Sequence, residues 1–300
     1  MERNLTAGHL SALLTILIWG TTFIATKILL EEFQPVEILF FRFLLGLLVL
    51  LLIYPHRLRG TTPRQELLFA LAGLCGVCLY YLLENIALTN TMASNVGVII
   101  SVAPFFTAIL THILRKGAET LRASFFLGFG IAMVGIVLIS FNGVRLELNP
   151  VGDLLALLAA FVWACYSVLT KTISCVGYNT ILTTRRVFFY GILFMLPALF
   201  LFDFKPELAK MADPINLFNL LFLGLGASAL CFVTWNFAVK VLGAIKTSVY
   251  IYMVPVITVV TSSVILREKI TLLSGIGTLL TLVGLFLSER KPPQRTKAPL

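Results

Sequence analysis

Apolar residues fall in ten runs of about 20 residues each, the length a helix needs to cross the hydrocarbon core of a bilayer. The runs lie near 10–30, 36–54, 67–88, 94–114, 122–141, 151–173, 181–202, 216–239, 245–266 and 271–288, separated by short, more polar segments. This pattern predicts an all-α polytopic membrane protein of ten transmembrane helices, with almost nothing left over for a soluble domain. The first run is longer than the apolar core of a secretory signal, and no A-x-A-like cleavage site follows it before Lys27. It is therefore expected to persist as the first span.

A longer period overlies these runs. The stretch Asn85–Pro104 (NIALTNTMASNVGVIISVAP) has a counterpart in Asn236–Pro255 (NFAVKVLGAIKTSVYIYMVP), with the same Asn-to-Pro spacing. In each, an apolar helix carries Asn near its end, a small-residue turn follows, and a second apolar helix meets Pro. A shift of 144 positions aligns Trp19 with Trp163, Thr26 with Thr170, Lys27 with Lys171 and Arg42 with Arg186. A shift of 151 aligns Asn85 with Asn236, Ala87 with Ala238, Pro104 with Pro255 and Thr107 with Thr258. The chain thus divides into a first five-helix repeat at 1–144, a second at 145–290, and a basic tail at 291–300. Five is odd, so the second repeat enters the membrane from the opposite side. Inverted repeats of this kind are a recurring plan of secondary transporters, which bind substrate near the midplane between the repeats.

Composition agrees: 59% of residues are hydrophobic and 12% charged, against about a quarter charged in soluble domains. The formal charge of +9 does not point to nucleic acid, because its placement follows topology. With ten spans the termini share one side. That side carries Arg3, Arg57, Arg59, Arg64, Arg115, Lys116, Arg122, Lys240, Lys246, Arg290, Lys291, Arg295 and Lys297. The opposite loops hold Arg145, Lys205, Lys210, Arg267 and Lys269. The imbalance is a positive-inside signature, so both termini are expected in the cytoplasm, with the basic loops meeting anionic lipid. The C-x-x-C of Cys75 and Cys78 lies inside an apolar run with no further ligand nearby, and reads as small buried hydrophobes.

The segments LLTILIWGTTFIATKI, ENIALTNTMASNVGVIISVAPFFTAIL, WNFAVKVLGAIKTSVYIYMVPVITVV and LREKIT, in this order, resemble the drug/metabolite transporter superfamily, specifically its EamA-type ten-helix members. The resemblance spans essentially residues 5–290. It implies a bacterial inner-membrane transporter, often an exporter of amino acids, other metabolites or drug-like compounds. The turn after the ninth run carries Glu268, where the first half has Gly117; a polar helix-start cap is the expected role of that Glu.

Candidate transport residues follow from polar positions inside the runs. Thr15, Trp19, Thr22 and Thr26 share one helix face, as do Trp163, Tyr166 and Thr170. Tryptophan usually sits at the membrane interface, so two at mid-span predict either a cavity wall or interhelical packing. Pro104 and Pro255 each remove a backbone donor, which predicts bends or hinges near one depth. Ser101, Tyr250 and Tyr252 would place hydroxyls beside them. Glu84 is an acidic residue well inside a run, preceded by Tyr80 one turn earlier and followed by Asn85; the second half has Trp235 before Asn236. An intramembrane carboxylate is a functional candidate by default, here for ion coupling or for a cationic group. A position near the outer end of its helix, hydrated or paired with Lys27 or Arg42, is the structural alternative. Arg42 and Arg186 are expected to snorkel to headgroups, and His112 to be interfacial. Gly73, Gly76, Gly128, Gly130, Gly135, Gly224, Gly226, Gly275, Gly277 and Gly284 are expected to mark close helix approaches.

No phosphate-binding loop appears, so ATP-driven pumping by this chain is not expected. No catalytic, cofactor or metal site is expected either. The favoured reading is a secondary carrier of a small organic metabolite, an amino acid or amine, working by alternating access, with helices one, three, four, six, eight and nine lining the cavity. Export is implied by the resemblance. The alternatives are an integral-membrane enzyme acting on lipid-linked substrates, which requires acid, base or metal ligands clustered at one membrane face, and a non-transporting scaffold.

Overall fold

The computed structural model describes residues 2–90, 93–114, 123–140, 149–202, 204, 207–265 and 271–289. The tail 291–300, Gly117 and Glu268 lie outside them. All regular structure among the described residues is helical. Helix α1 spans Glu2–Leu29, α2 Pro35–Ile53 and α3 Pro63–Asn90. Helix α4 has two segments, Ala93–Ile100 and Ala103–Leu114, and α5 spans Ala123–Ser140. Helix α6 spans Pro150–Ser174, α7 Thr180–Leu201 and α8 Pro214–Leu242. Helix α9 runs from Ala244–Val249 through a tight 3-10 turn at Tyr250–Tyr252 into Met253–Ile265, and α10 spans Leu272–Glu289. Seven helices among the described residues are long and apolar enough to cross a membrane; shorter apolar helices lie at Ala123–Ile139, Ala244–Ile257 and Gly275–Ser288.

The helix starts are written locally. Pro35, Pro63, Pro150 and Pro214 occupy first turns, where a missing N–H costs nothing. The side chains of Thr62, Asn149 and Asp213 accept hydrogen bonds from the backbone of those turns. Helix α8 stops at Gly243, whose φ of 96° is a conformation that glycine adopts without steric cost.

Regularity fails at matched places. Helix α3 carries a π-helical segment at Leu74–Leu79, and α8 one at Phe222–Leu230. Helix α4 breaks at Ser101–Val102, one residue short of Pro104, and α9 tightens at Tyr250–Tyr252, two residues short of Pro255. Widened or broken turns at membrane depth are tolerated where protein surrounds them, and Gly76, Val77, Cys78, Ala227 and Ser228 are all buried.

Packing partners recur between the halves. Helix α1 packs on the second half of α8 and α6 on the second half of α3; α2 meets the π segment of α8 and α7 that of α3; α1 meets α9 and α6 meets α4. At Gly73 an added Cβ would lie 2.6 Å from the Val187 carbonyl, and at Gly224 it would lie 2.8 Å from Leu45 Cβ. The most extensive contact is between α5 and α10. Cβ atoms at Gly135 and Gly277 would each strike the other's carbonyl oxygen, at 2.5 and 2.6 Å. Three of the expected close approaches are absent: Gly130 and Gly275 have no neighbour within 4 Å of the Cβ position, and Gly226 meets its own helix's Phe222 at ordinary contact distance.

These distances set a test. Gly135→Val forces backbone apart on α5 and α10 and is expected to cost roughly 1–3 kcal/mol. Gly130→Val, pointing into open space, is expected to leave the melting temperature of the detergent-solubilised protein unchanged. Fluorescence-detected thermal unfolding of the two variants compares them directly.

Candidate functional site

Six helices contribute rings to one cluster. Trp19 of α1 lies 5.2 Å from Trp163 of α6 and 5.1 Å from Trp235 of α8, centroid to centroid. Tyr80 of α3 stands 4.7 Å from both Trp163 and its neighbour Tyr81. Phe232 of α8 joins Phe43 of α2 at 5.6 Å and Phe188 of α7 at 5.1 Å, and Tyr166 of α6 lies 5.0 Å from Trp163. Most of these pairs are tilted or edge-to-face, the orientation that aromatic quadrupoles favour.

The polar atoms of the cluster divide into satisfied and unsatisfied groups. Trp19 donates its indole N–H to the Ala227 carbonyl at 3.0 Å, an acceptor in the π segment of α8. Trp163 and Trp235 are buried, yet their indole N–H groups have no acceptor. Glu84 is buried, and Tyr80 donates its hydroxyl to it at 3.3 Å. Asn236 accepts from the Tyr166 hydroxyl at 2.7 Å and donates to Thr184 Oγ1 at 2.9 Å. Its counterpart Asn85 donates to the Pro35 carbonyl at 3.2 Å and leaves its own oxygen without a donor.

Other predicted residues fall elsewhere. Thr22 and Ser101 bond back to carbonyls of Trp19 and Gly97, the local arrangement usual for hydroxyls inside helices. Thr26 is buried near the other end of α1. Tyr250 shares a 2.6 Å hydrogen bond with His9. Tyr252 is fully buried in a separate apolar cluster with Ala108 and Phe125, 6.4 Å from the Phe129 ring. Pro104 and Pro255 follow the two helix breaks.

Arg42 corrects the snorkelling expectation. It is 2% exposed. Its Nε donates to Ser228 Oγ at 3.0 Å, and its Cζ lies 4.4 Å from the Tyr81 ring centroid and 5.3 Å from that of Phe43. It forms no ion pair with Glu84, and its Nη2 has no acceptor. The matching Arg186 behaves differently: it pairs with Glu66 at 3.0 Å at a half-exposed helix end, where Tyr190 also donates to Glu66 at 2.6 Å. Beside it, Arg185 donates to the carbonyls of Tyr54 and His56.

A small vestibule, a cavity of about 20 Å³, opens at the end of the bundle where α6 and α8 finish and α7 begins. Thr170, Ser174, Tyr178, Thr183, Asn236 and Lys240 help to line it. Asn236 belongs both to this lining and, through its bond from Tyr166, to the ring cluster. Sequence reasoning missed Tyr81, Phe43, Phe232, Ser228 and both π segments. The available signal was Arg42, a guanidinium seven residues into an apolar helix.

A model of the EamA-like transporter family matches the chain twice, over residues 6–141 and 150–290. The chain is 30% identical over 293 residues to an "Uncharacterized transporter" of Archaeoglobus fulgidus, covering 95% of this chain and 98% of the relative. It is 25% identical over 279 residues to the "Probable terminal-alkyne amino-acid exporter" of Streptantibioticus cattleyicolor, covering 93% and 92%. A crystal structure superposes with a TM-score of 0.75 at 20% identity, over 95% of this chain and 96% of the other, a likeness of fold.

The two equivalent asparagines are expected to respond unequally to substitution. Asn236→Ala removes two side-chain bonds between α6, α7 and α8, and should lower stability by roughly 1–2 kcal/mol. Asn85→Ala removes one bond and should cost less than half as much. Thermal unfolding of both variants in one detergent measures the difference.

Proposed function

The chain belongs to the EamA-like transporter family, and on that premise we propose that it is a ten-helix secondary carrier working by alternating access. It is a multi-pass membrane transporter of the EamA type. The seven long helices and three shorter apolar ones support ten spans. The double family match and the recurring partners, α1 with α8 and α6 with α3, support two repeats of 1–144 and 145–290. Their charge pattern supports an inverted arrangement in a bacterial cytoplasmic membrane, with both termini in the cytoplasm.

One observation carries the reading: the ring cluster, with its buried carboxylate and its donors that lack acceptors, is enclosed between the two matched segments. Buried polar groups without partners are uncommon in a finished protein core. In a carrier the missing partner is the cargo. We assign Trp19, Tyr80, Trp163, Tyr166, Trp235 and Asn236 to the cavity wall and Glu84 to coupling. Pro104 and Pro255 serve as hinges that let α4 and α9 bend.

The cargo is a small organic metabolite, an amino acid or amine, moved outward. Aromatic faces attract ammonium groups, and the Streptantibioticus relative is named as an amino-acid exporter. Purified protein in liposomes should give saturable counterflow of an amino acid or amine. An ion current without saturable solute movement would reject a carrier. Glu84→Gln should abolish acceleration by a pH gradient while leaving counterflow measurable; gradient-driven transport that persists unchanged would remove Glu84 from the coupling role.

Topology has its own readout. In a bacterial host, green fluorescent protein fused after Leu300 should fluoresce and alkaline phosphatase at the same point should be inactive. The reverse result would invert the orientation.

A further inference from the structure

We infer that Arg42 is the group that recognises a carboxylate on the cargo, so that the carrier takes amino acids and rejects the corresponding amines. This rests on the carrier reading above and narrows its substrate class. A guanidinium taken out of water is costly unless charged or hydrogen-bonding partners replace its hydration. Arg42 is 2% exposed, with one hydroxyl partner in Ser228 and two aromatic faces, Tyr81 and Phe43. Among the described residues no carboxylate lies within ion-pair distance of it, and Nη2 is without an acceptor.

Donors without acceptors recur in the adjoining rings. The indole N–H groups of Trp163 and Trp235 are buried and unmatched. The Arg42 corner and the indoles are joined through α8: Ser228 accepts from Arg42, and the preceding residue's carbonyl accepts from Trp19, which touches both other tryptophans. Trp19, by contrast, has its indole N–H matched by the Ala227 carbonyl. An excess of buried donors calls for a ligand rich in acceptors, and a carboxylate accepts through both oxygens.

Charge balance selects the rest of the molecule. Glu84 is the other charged residue in the cluster, beyond the Tyr80–Tyr81 pair, whose rings are 4.7 Å apart. Arg42 is a fixed cation, and Glu84 offers a carboxyl group on the far side of those rings. A zwitterion adds no net charge, its carboxylate meeting Arg42 and its ammonium group facing the aromatic and Glu84 side. A simple amine leaves the Arg42 donor unmatched, and a phosphate dianion leaves a net negative charge among nine rings. The cargo class is thus an α-amino acid with an apolar or small polar side chain.

The test uses the full chain in liposomes and a matched counterflow panel. Each α-amino acid is compared with its carboxamide and its decarboxylated amine: phenylalanine with phenylalaninamide and phenethylamine, leucine with leucinamide and isoamylamine, and the remaining acids likewise. The acid should be preferred by about ten- to a hundredfold, the loss that accompanies deletion of a charge-assisted hydrogen bond. Arg42→Gln should reduce that preference to near unity by weakening the acid, while amide counterflow persists; Arg42→Lys should keep part of it. Amines or amides moved as well as acids by the wild type would overturn the inference and leave the carrier reading standing. An undiminished acid preference in folded Arg42→Gln, or in Arg42→Lys if the Gln variant does not fold, would also overturn it. Absence of saturable movement for every solute would overturn both readings.

Discussion

Hydrocarbon offers no hydrogen bond to a polar group, and the arrangement of this molecule follows from that. Backbone groups must be paired within their own helix or against protein, so each irregular turn is placed where other helices surround it. The π segments of α3 and α8 face α7 and α2 at backbone contact distance, through Gly73 and Gly224. The breaks before Pro104 and Pro255 lie next to buried Ser101 and Ile251. Hydroxyls inside helices mostly return to their own carbonyls, as Thr22, Ser101 and Thr107 do. Against this background of local satisfaction, buried donors without acceptors stand out, and three of them are Arg42 Nη2 and the indole N–H groups of Trp163 and Trp235.

Hydropathy made most of the architecture legible. Apolar runs near 20 residues mark helices because the bilayer sets their length; the largest difference is at α1, which begins at Glu2, ahead of its apolar run. The repeat marks Trp19, Trp163 and both asparagines in the sequence, because tryptophan and asparagine are conspicuous in oily helices. Arg42 was misjudged for an identifiable reason. Its distance from the helix end is compatible with a snorkelling side chain, and sequence does not reveal that Phe43, Tyr81 and Ser228 enclose it. The π segments left no trace because LCGVCL and FLGLGASAL satisfy a regular helical pattern equally well. Tyr252 was assigned to the cavity by its place beside Pro255, but the 3-10 turn rotates it toward α4 and α5.

The second half copies the first in packing and departs from it in chemistry. Gly73 and Gly224 do the same mechanical work, each admitting a neighbouring helix. Arg42 and Arg186 occupy matching positions, yet one is buried on aromatic rings and the other is paired with Glu66 at a helix end. Asn236 knits Tyr166 to Thr184, while Asn85 holds one carbonyl. Glu84 stands where the second half has Trp235. On the carrier reading proposed above, duplicated packing would supply two conformations of similar stability, and the divergent side chains a binding site that is not itself symmetric.

That asymmetry bears on how the site is reached. The vestibule lies at the end where α7 begins, and Asn236 is both part of its lining and the partner of Tyr166 in the ring cluster. Thr184, its second partner, belongs to α7, the helix that also carries Arg185 and Arg186 and their bonds to the α2–α3 region. Movement of α7 away from α3 therefore strains one set of contacts at the helix end and another at the floor of the vestibule. Both sets are polar, and both regain water as they open, so the separation exposes groups that hydration compensates. On the carrier reading proposed above, this polar latch over the apolar ring cluster would separate the step that admits water from the step that admits cargo.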